Sequence, residues 1–182
     1  MKVAICGKMC SGKSTLANHI MRTFPDYQIY SFASKVKDLC VELFDMKGKD
    51  RQLLINFANK MRELDPDIWI KQVLKQTRGK DRCIIDDVRY QNEVDALLKD
   101  GWHFIQLHIP SGLQLERIMK VYPEDYESHV ESCNHISEQN HFVFPKGSEP
   151  LTLMVERHNT HKLFHSVNML LMKQSLSETI VK

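Results

Sequence analysis

The sequence predicts an α/β fold built on a mostly parallel sheet, and three features predict it. Short unbroken apolar runs recur along the chain, segments with helical apolar spacing separate them, and a glycine-rich turn joins the first run to the first helix. Unbroken apolar runs are strands covered on both faces, the usual condition of a parallel sheet.

Met1–Cys6 is the first such run, and Gly7–Gly12 supplies the turn that follows. From Lys13 the apolar positions Leu16, Ile20 and Phe24 recur at helical spacing, and Pro25 ends the segment. Tyr27–Ser31 reads as a second strand. Lys35–Phe44 is helical through Val36, Leu39, Val41, Leu43 and Phe44, and Gly48 interrupts it. Arg51–Leu64 resumes the helical period, with Leu54, Phe57, Ala58 and Met61 on one face. Asp65-Pro66 is the pattern of a helix start, with Asp as N-cap and Pro at the first position, leading into Ile68–Gln76. Cys83–Ile85 is a third strand that ends in Asp86-Asp87. A helix over Asn92–Lys99 stops at Gly101, and Phe104–Ile109 is the fourth strand, stopped by Pro110. Leu113–Met119 forms a short helix. Val121–Gln139 is a polar excursion expected to be mobile, and His141–Phe144 is the expected fifth strand. A long helix through Leu163, Val167 and Leu170–Leu171 closes the chain. Residues 32–80 are too many for a simple crossover, so they read as a helical insert over the carboxyl edge of the sheet, where open α/β sheets bind ligands. The whole chain, 1–182, is read as one domain.

Bulk composition narrows the function classes. The net charge is +2 in 182 residues, which gives no basic surface suited to coating nucleic acid. The cysteines Cys6, Cys10, Cys40, Cys83 and Cys133 are odd in number and irregularly spaced, a pattern of free thiols in a reducing compartment. No apolar run approaches the ~20 residues that span a bilayer. The first strand begins at once, without a secretory pattern, so a cytoplasmic protein is expected.

Gly7-Lys8-Met9-Cys10-Ser11-Gly12-Lys13-Ser14 fits G-x-x-x-x-G-K-S/T in full. Gly7 and Gly12 permit a backbone path that a Cβ would obstruct. The N–H groups of the turn, Ser11 among them, and those of Ser14 and Thr15 in the next helix then converge on anionic oxygens. Lys13 balances charge on the β- and γ-phosphates of ATP, and the Ser14 hydroxyl is a Mg²⁺ ligand. Many activities share this loop, so the rest of the chain has to choose among them.

Asp86-Asp87 ends the third strand where a Mg²⁺-directed carboxylate belongs. Arg89 rises from the same rim with a guanidinium suited to phosphate. Lys37, Arg51 and Arg62 fall in the insert, and an anionic acceptor needs such cations beside ATP. For Arg51 a solvated helix face is an equal alternative. Arg117 and Lys120 lie in a segment, about 113–137, able to close as a lid and exclude water. His158, His161 and His165, and the set His129, Cys133 and His135, are read as ordinary surface rather than zinc ligands.

These stretches carry a resemblance. GKMCSGKST at 7–15, SFASKVKDLCVELF at 31–44, MRELDPDIW at 61–69, DDVRYQNEV at 86–94 and HISE at 135–138 resemble the deoxynucleoside monophosphate kinases of bacteriophages and large DNA viruses. Those are P-loop kinases related to adenylate kinase and, more distantly, to animal phosphomevalonate kinase. The resemblance implies a P-loop kinase fold with a five-stranded parallel sheet, an acceptor-binding insert near 32–80 and a short lid. It implies ATP and Mg²⁺ on the P-loop side, with Asp87 ahead of Asp86 as the metal's carboxylate. Catalytic roles fall on Lys13, Asp87, Arg89 and Arg117. The acceptor, a (deoxy)nucleoside monophosphate, would meet Lys37, Arg51, Arg62 and Arg89, with Phe32 and Trp69 in its pocket. The chain departs from the family in a lid sparse in arginine. It also has Pro145-Lys146-Gly147 where a polar loop usually approaches the adenine, which puts Lys146 and Gly147 beside the nucleotide. Two alternatives stay open: a kinase for another phosphorylated metabolite such as phosphomevalonate, and a non-catalytic nucleotide-gated binding module. Oligomeric state is also open, a homodimer included.

Overall fold

Val3, Ala4, Ile5 and Cys6 are all fully buried, because the strand's period of two sends alternate side chains into two separate cores. Val3 and Ile5 enter one core, Ala4 and Cys6 the other, and Ile84 and Ile85 divide in the same way. The computed structural model describes residues 1–133 and 141–180, with side chains through 173. Five parallel strands carry it: β1 (Lys2–Gly7), β2 (Gln28–Tyr30), β3 (Cys83–Ile85), β4 (Trp102–His108) and β5 (Leu151–Met154). Their order is β2-β3-β1-β4-β5, so β1 is central and its carboxyl end opens between neighbours. In register, Ala4 lies opposite Ile85, Gly7 opposite Leu107 and His108 opposite Met154.

Helices cover both faces. On one side α1 (Lys13–Thr23) and α8 (Thr160–Ile180) enclose a core of Leu16, Ile20, Ile105, Val167 and Leu171. On the other, α2 (Phe32–Phe44), α3 (Arg51–Leu64), α4 (Ile68–Thr77) and α5 (Gln91–Lys99) surround Val36, Trp69, Val73, Leu97 and Trp102. Each large aliphatic side chain so buried contributes roughly 1.5–3 kcal/mol relative to exposure. Two more helices among the described residues are α6 (Ser111–Val121) and α7 (Tyr126–Ser132). The helices α2–α4 occupy residues 32–77, between β2 and β3.

Three expectations need correction. His141–Phe144 is not a strand. Its aromatic rings turn inward, with Phe144 edge-on to Phe104 at 5.3 Å, while the Gln91 amide satisfies the Val143 backbone through two bonds of 2.9 Å. A side-chain amide there replaces a strand partner, and β5 forms ten residues later. Asp65 caps a turn just before α4, accepting from the Asp67 N–H at 3.1 Å, so the helix starts after Pro66 rather than at it. The polar excursion contains the helix α7. The remainder of that excursion from 134 to 139, His135 and the last lid residues 134–137 lie outside the described residues. Among the described residues no helix is long and apolar enough to cross a membrane.

Candidate active site

Gly7 is the last residue of β1, at φ 147°, and a Cβ there would meet the Leu107 carbonyl oxygen at 2.6 Å and Ser11 Oγ at 2.8 Å. No side chain fits, so the loop lies directly against β4. Cys10 at φ 59° and Gly12 at φ 98° take left-handed conformations that turn the chain into α1. Gly12 is the N-cap of α1 and offers no side chain to the first-turn N–H groups. Those donors are left for a ligand anion. Lys13 Nζ folds back onto the Gly7 and Lys8 carbonyls at 2.6 and 3.0 Å. Ser14 and Thr15 stand exposed on the first turn. Ser11 Oγ is buried in this cradle without a hydrogen-bond partner, the kind of orphan that a bound oxyanion would satisfy.

A cavity of about 350 Å³ adjoins the loop, lined among others by Thr15, Leu107, Arg117, Val155, Thr160 and Phe164. Phe164 is held flat against His19, with ring centroids 3.8 Å apart. Arg117 reaches the loop from α6 and donates to the Cys10 carbonyl at 3.1 Å. Gln114, one turn earlier, donates to the Met9 carbonyl at 3.1 Å. Arg117 thus lies against the loop, and Gln114 beside it is a residue that sequence reasoning missed. Lys146 and Gly147 do not line this cavity. They precede β5, whose amino end lies away from the carboxyl edge that bears the loop, since all five strands run parallel. The chain approaches the cavity instead after β5, at Val155 and Thr160.

Asp87 is engaged by the insert. Its Oδ2 accepts from Ser31 Oγ at 2.6 Å and the Ala33 N–H at 3.0 Å, and its Oδ1 accepts from the Phe32 N–H at 3.1 Å. The carboxylate thus caps α2 together with Ser31. Burial raises its pKa, against the lowering effect of these hydrogen bonds, and the charge of Asp86 adds to the rise. Asp86 is half-buried at the same strand end. Ser14, Asp86 and Asp87 are an oxygen donor set of the kind Mg²⁺ takes.

Phe32 and Trp69 are core residues, 4% and 3% exposed, and the Trp69 indole donates to the Ala58 carbonyl at 3.2 Å. That corrects their expected place on the wall of an acceptor pocket. Arg62 lies over the Tyr90 ring at 4.8 Å, and its charge is felt by Glu93, a buried carboxyl group beside it. Lys49 was missed by sequence reasoning. Its pKa is lowered by desolvation and by the charges of Arg51, Lys37 and Arg89, so cations of α2, α3 and the β3 rim lie within electrostatic reach of it. Arg51 is additionally held by α7 and the residues before it: its Nη1 lies 3.0 Å from His129 Nε2, and its guanidinium 5.7 Å from the Tyr122 ring. Among the described residues no group of three or more His, Cys, Asp and Glu side chains is arranged to hold a metal ion.

Comparison with known proteins agrees with this architecture. A family model described as AAA domain matches residues 3–132. No curated protein matches. Among solved structures, the shikimate kinase of Aquifex aeolicus vf5 superposes with a TM-score of 0.51 at 18% identity, over 97% of this chain and 99% of that one. A gluconokinase from Sinorhizobium meliloti 1021 does so with a TM-score of 0.55 at 13% identity, over 98% of this chain and 96% of that one. At such identities the likeness is one of fold, the same α/β architecture. The family match covers more than half of the sequence and includes the loop, the insert and α6, and so the chain belongs to the AAA domain family.

Proposed function

We propose that this chain is an ATP-dependent phosphotransferase that converts (deoxy)nucleoside monophosphates to diphosphates. The observation that carries this reading is the phosphate loop, and a second group of cations supports an anionic acceptor beside it. The loop leads into the bare α1 terminus. The charges of Lys37, Arg51 and Arg89 act on Lys49. Two polyanions would repel each other unless each were neutralised separately, and these cations would serve the acceptor. The fold shared with two kinases and the sequence stretches quoted above support the same class.

The donor would lay its polyphosphate along 7–15 and its base in the cavity between α6 and α8. Lys13 would leave the Gly7 and Lys8 carbonyls for the β- and γ-phosphates, and the orphaned Ser11 hydroxyl would gain a partner. Mg²⁺, when bound, would be held by Ser14 with Asp86 or Asp87 and would neutralise the phosphate oxygens. The acceptor is a phosphate monoester with a second pKa of about 6, already an anionic nucleophile at neutral pH. No general base is required. The protein's part is to hold the two phosphates in line, keep water out through α6 and α7, and spread positive charge around the transferring group. Arg117 and Arg89 would serve the last task.

The test is a panel of deoxynucleoside and ribonucleoside monophosphates, phosphomevalonate and simple alcohols, with ADP formation followed in Mg²⁺–ATP. Turnover is expected with one or more monophosphates, and none in Lys13→Ala, whose fold should persist because the Lys13 side chain is no part of either hydrophobic core. Turnover confined to phosphomevalonate would move the acceptor class. ATP binding without turnover on any acceptor would leave a binding module.

A further inference from the structure

His129 is 1% exposed, yet it carries two polar ring nitrogens into the contact between α7 and α3. Its ring stacks on Tyr122, with centroids 3.7 Å apart and planes 22° apart. Arg51, the first residue of α3, places one guanidinium nitrogen 3.0 Å from Nε2 and 3.3 Å from Nδ1. A neutral imidazole has one acceptor nitrogen, and a guanidinium has only donors, so the pair is complementary as it stands. The same guanidinium lies over the Tyr122 ring, whose negative face adds a second attraction. Asp125 Oδ2, one turn before His129, is 3.6 Å from Nε2 on the same helix.

The far side of this cluster leads to the phosphate loop. The His129 carbonyl accepts from Cys133 Sγ at 3.3 Å, Gln114 Nε2 lies 3.6 Å from that sulfur, and the same Nε2 donates to the Met9 carbonyl. Arg51 in turn belongs to the cation group around Lys49. An unbroken path of contacts therefore runs from the acceptor cations, through the lid, to the donor loop.

We infer that His129 and Tyr122 are positioning residues: they form a platform on the lid that fixes the Arg51 guanidinium, so that the grip on the acceptor phosphate is set by the lid and not by the insert alone. This rests on the phosphotransferase reading for its kinetic consequence and on geometry alone for its structural one. A freely rotating arginine at the start of α3 would lose side-chain entropy on meeting its ligand. Held between an imidazole and a phenol ring, it has lost that freedom beforehand. The other charged groups nearby are Asp125, just before α7, and Lys49, which feels the charge of Arg51.

His129→Phe keeps the stacked ring and removes both nitrogens. It is expected to raise the acceptor KM about tenfold, the scale of one lost hydrogen bond to a charged group, and to leave the donor KM within about twofold. His129→Gln, which restores an acceptor atom, should recover part of the loss. Arg51→Ala combined with His129→Phe should be no worse than Arg51→Ala alone, because both remove one interaction. Effects that multiply, or an unchanged acceptor KM in His129→Phe with lowered thermal stability, would overturn the inference and leave His129 a packing residue. Backbone hydrogen exchange reads the same coupling without turnover. Arg51→Ala should deprotect 126–132, and His129→Phe should deprotect 51–57. Variants that each loosen only their own helix overturn the platform, whereas absence of ADP from every acceptor in the wild type overturns the phosphotransferase reading instead.

Discussion

Glu93 is a carboxyl group with 3% exposure, enclosed at the start of α5. Burial pushes its pKa up to about 7, although the Arg89 and Tyr90 N–H groups donate to it at 2.7 and 3.1 Å and lower it, as does Arg62; Asp87 adds to the rise. The folded protein therefore holds a proton at Glu93 over a range in which the unfolded chain, near the ordinary 4.5, has released it. Where the native state binds more protons, stability falls as pH rises. The contribution is complete below pH 4.5, declines up to about 7 and is level above that. Its size is on the order of 3 kcal/mol. Glu93→Gln, neutral at all pH values, should remove this slope. The check is urea unfolding of both proteins from pH 4.5 to 8, compared as a difference so that the histidines cancel. Parallel curves would show that Glu93 ionises freely in the fold. The location has a functional side, since Glu93 orders the backbone of Arg89, a proposed acceptor ligand.

At the scale of elements, the amino end of α2 depends on a residue more than fifty positions away. Asp87 supplies acceptors for the Phe32 and Ala33 N–H groups, and Ser31 Oγ bonds it while accepting from Ala33. Asp87→Asn replaces one oxygen with a donor that faces donors. It should cost roughly 1–3 kcal/mol, the penalty of buried unsatisfied groups. Since α2 carries Lys37, a higher acceptor KM should accompany the lost stability. Thermal unfolding and acceptor kinetics on the same preparation check both. Native stability with a raised Mg²⁺ requirement would instead make Asp87 a metal ligand before a cap. This dual position explains what the sequence made legible and what it hid. The phosphate loop was legible because its chemistry is local: Gly7, Gly12, Lys13 and Ser14 act within eight residues. The buried strands were legible because both faces are apolar. β5 was not, because it is an edge strand whose side chains alternate between half-buried and exposed, while His141–Phe144 has the stronger strand pattern and satisfies its backbone on Gln91. Lys49 and Gln114 carry no motif, and only the packing of the α2–α3 connection and of α6 gives them partners. Trp69 looked like a pocket wall because aromatic residues serve both pockets and cores, and composition does not distinguish them.

At the scale of the whole molecule, the two proposed ligand sites share one sheet edge but are built from different parts. The donor side uses the phosphate loop, α6 and α8, and the acceptor side uses the insert and the β3 rim. Ligand that binds only the native state stabilises it by mass action, about 2.7 kcal/mol at a hundredfold excess over Kd. For a chain of this size each kcal/mol moves Tm by about 2–4 °C, so saturating Mg²⁺–ATP should raise Tm by roughly 5–10 °C. Arg117→Ala removes one hydrogen bond to the loop and one wall of the donor cavity. Without ligand its Tm should fall only slightly, since one such bond contributes about 1 kcal/mol net. At the same ATP concentration its ligand-induced shift should shrink by more than half. A monophosphate acceptor should give a shift of its own in Arg117→Ala, close to that in wild type, because its cations belong to the other side. Differential scanning calorimetry with donor, acceptor and both resolves the three cases. An ATP shift that is the same in wild type and Arg117→Ala would put the nucleotide elsewhere than the cavity between α6 and α8. An acceptor shift lost along with the donor shift would mean that the two sites are one.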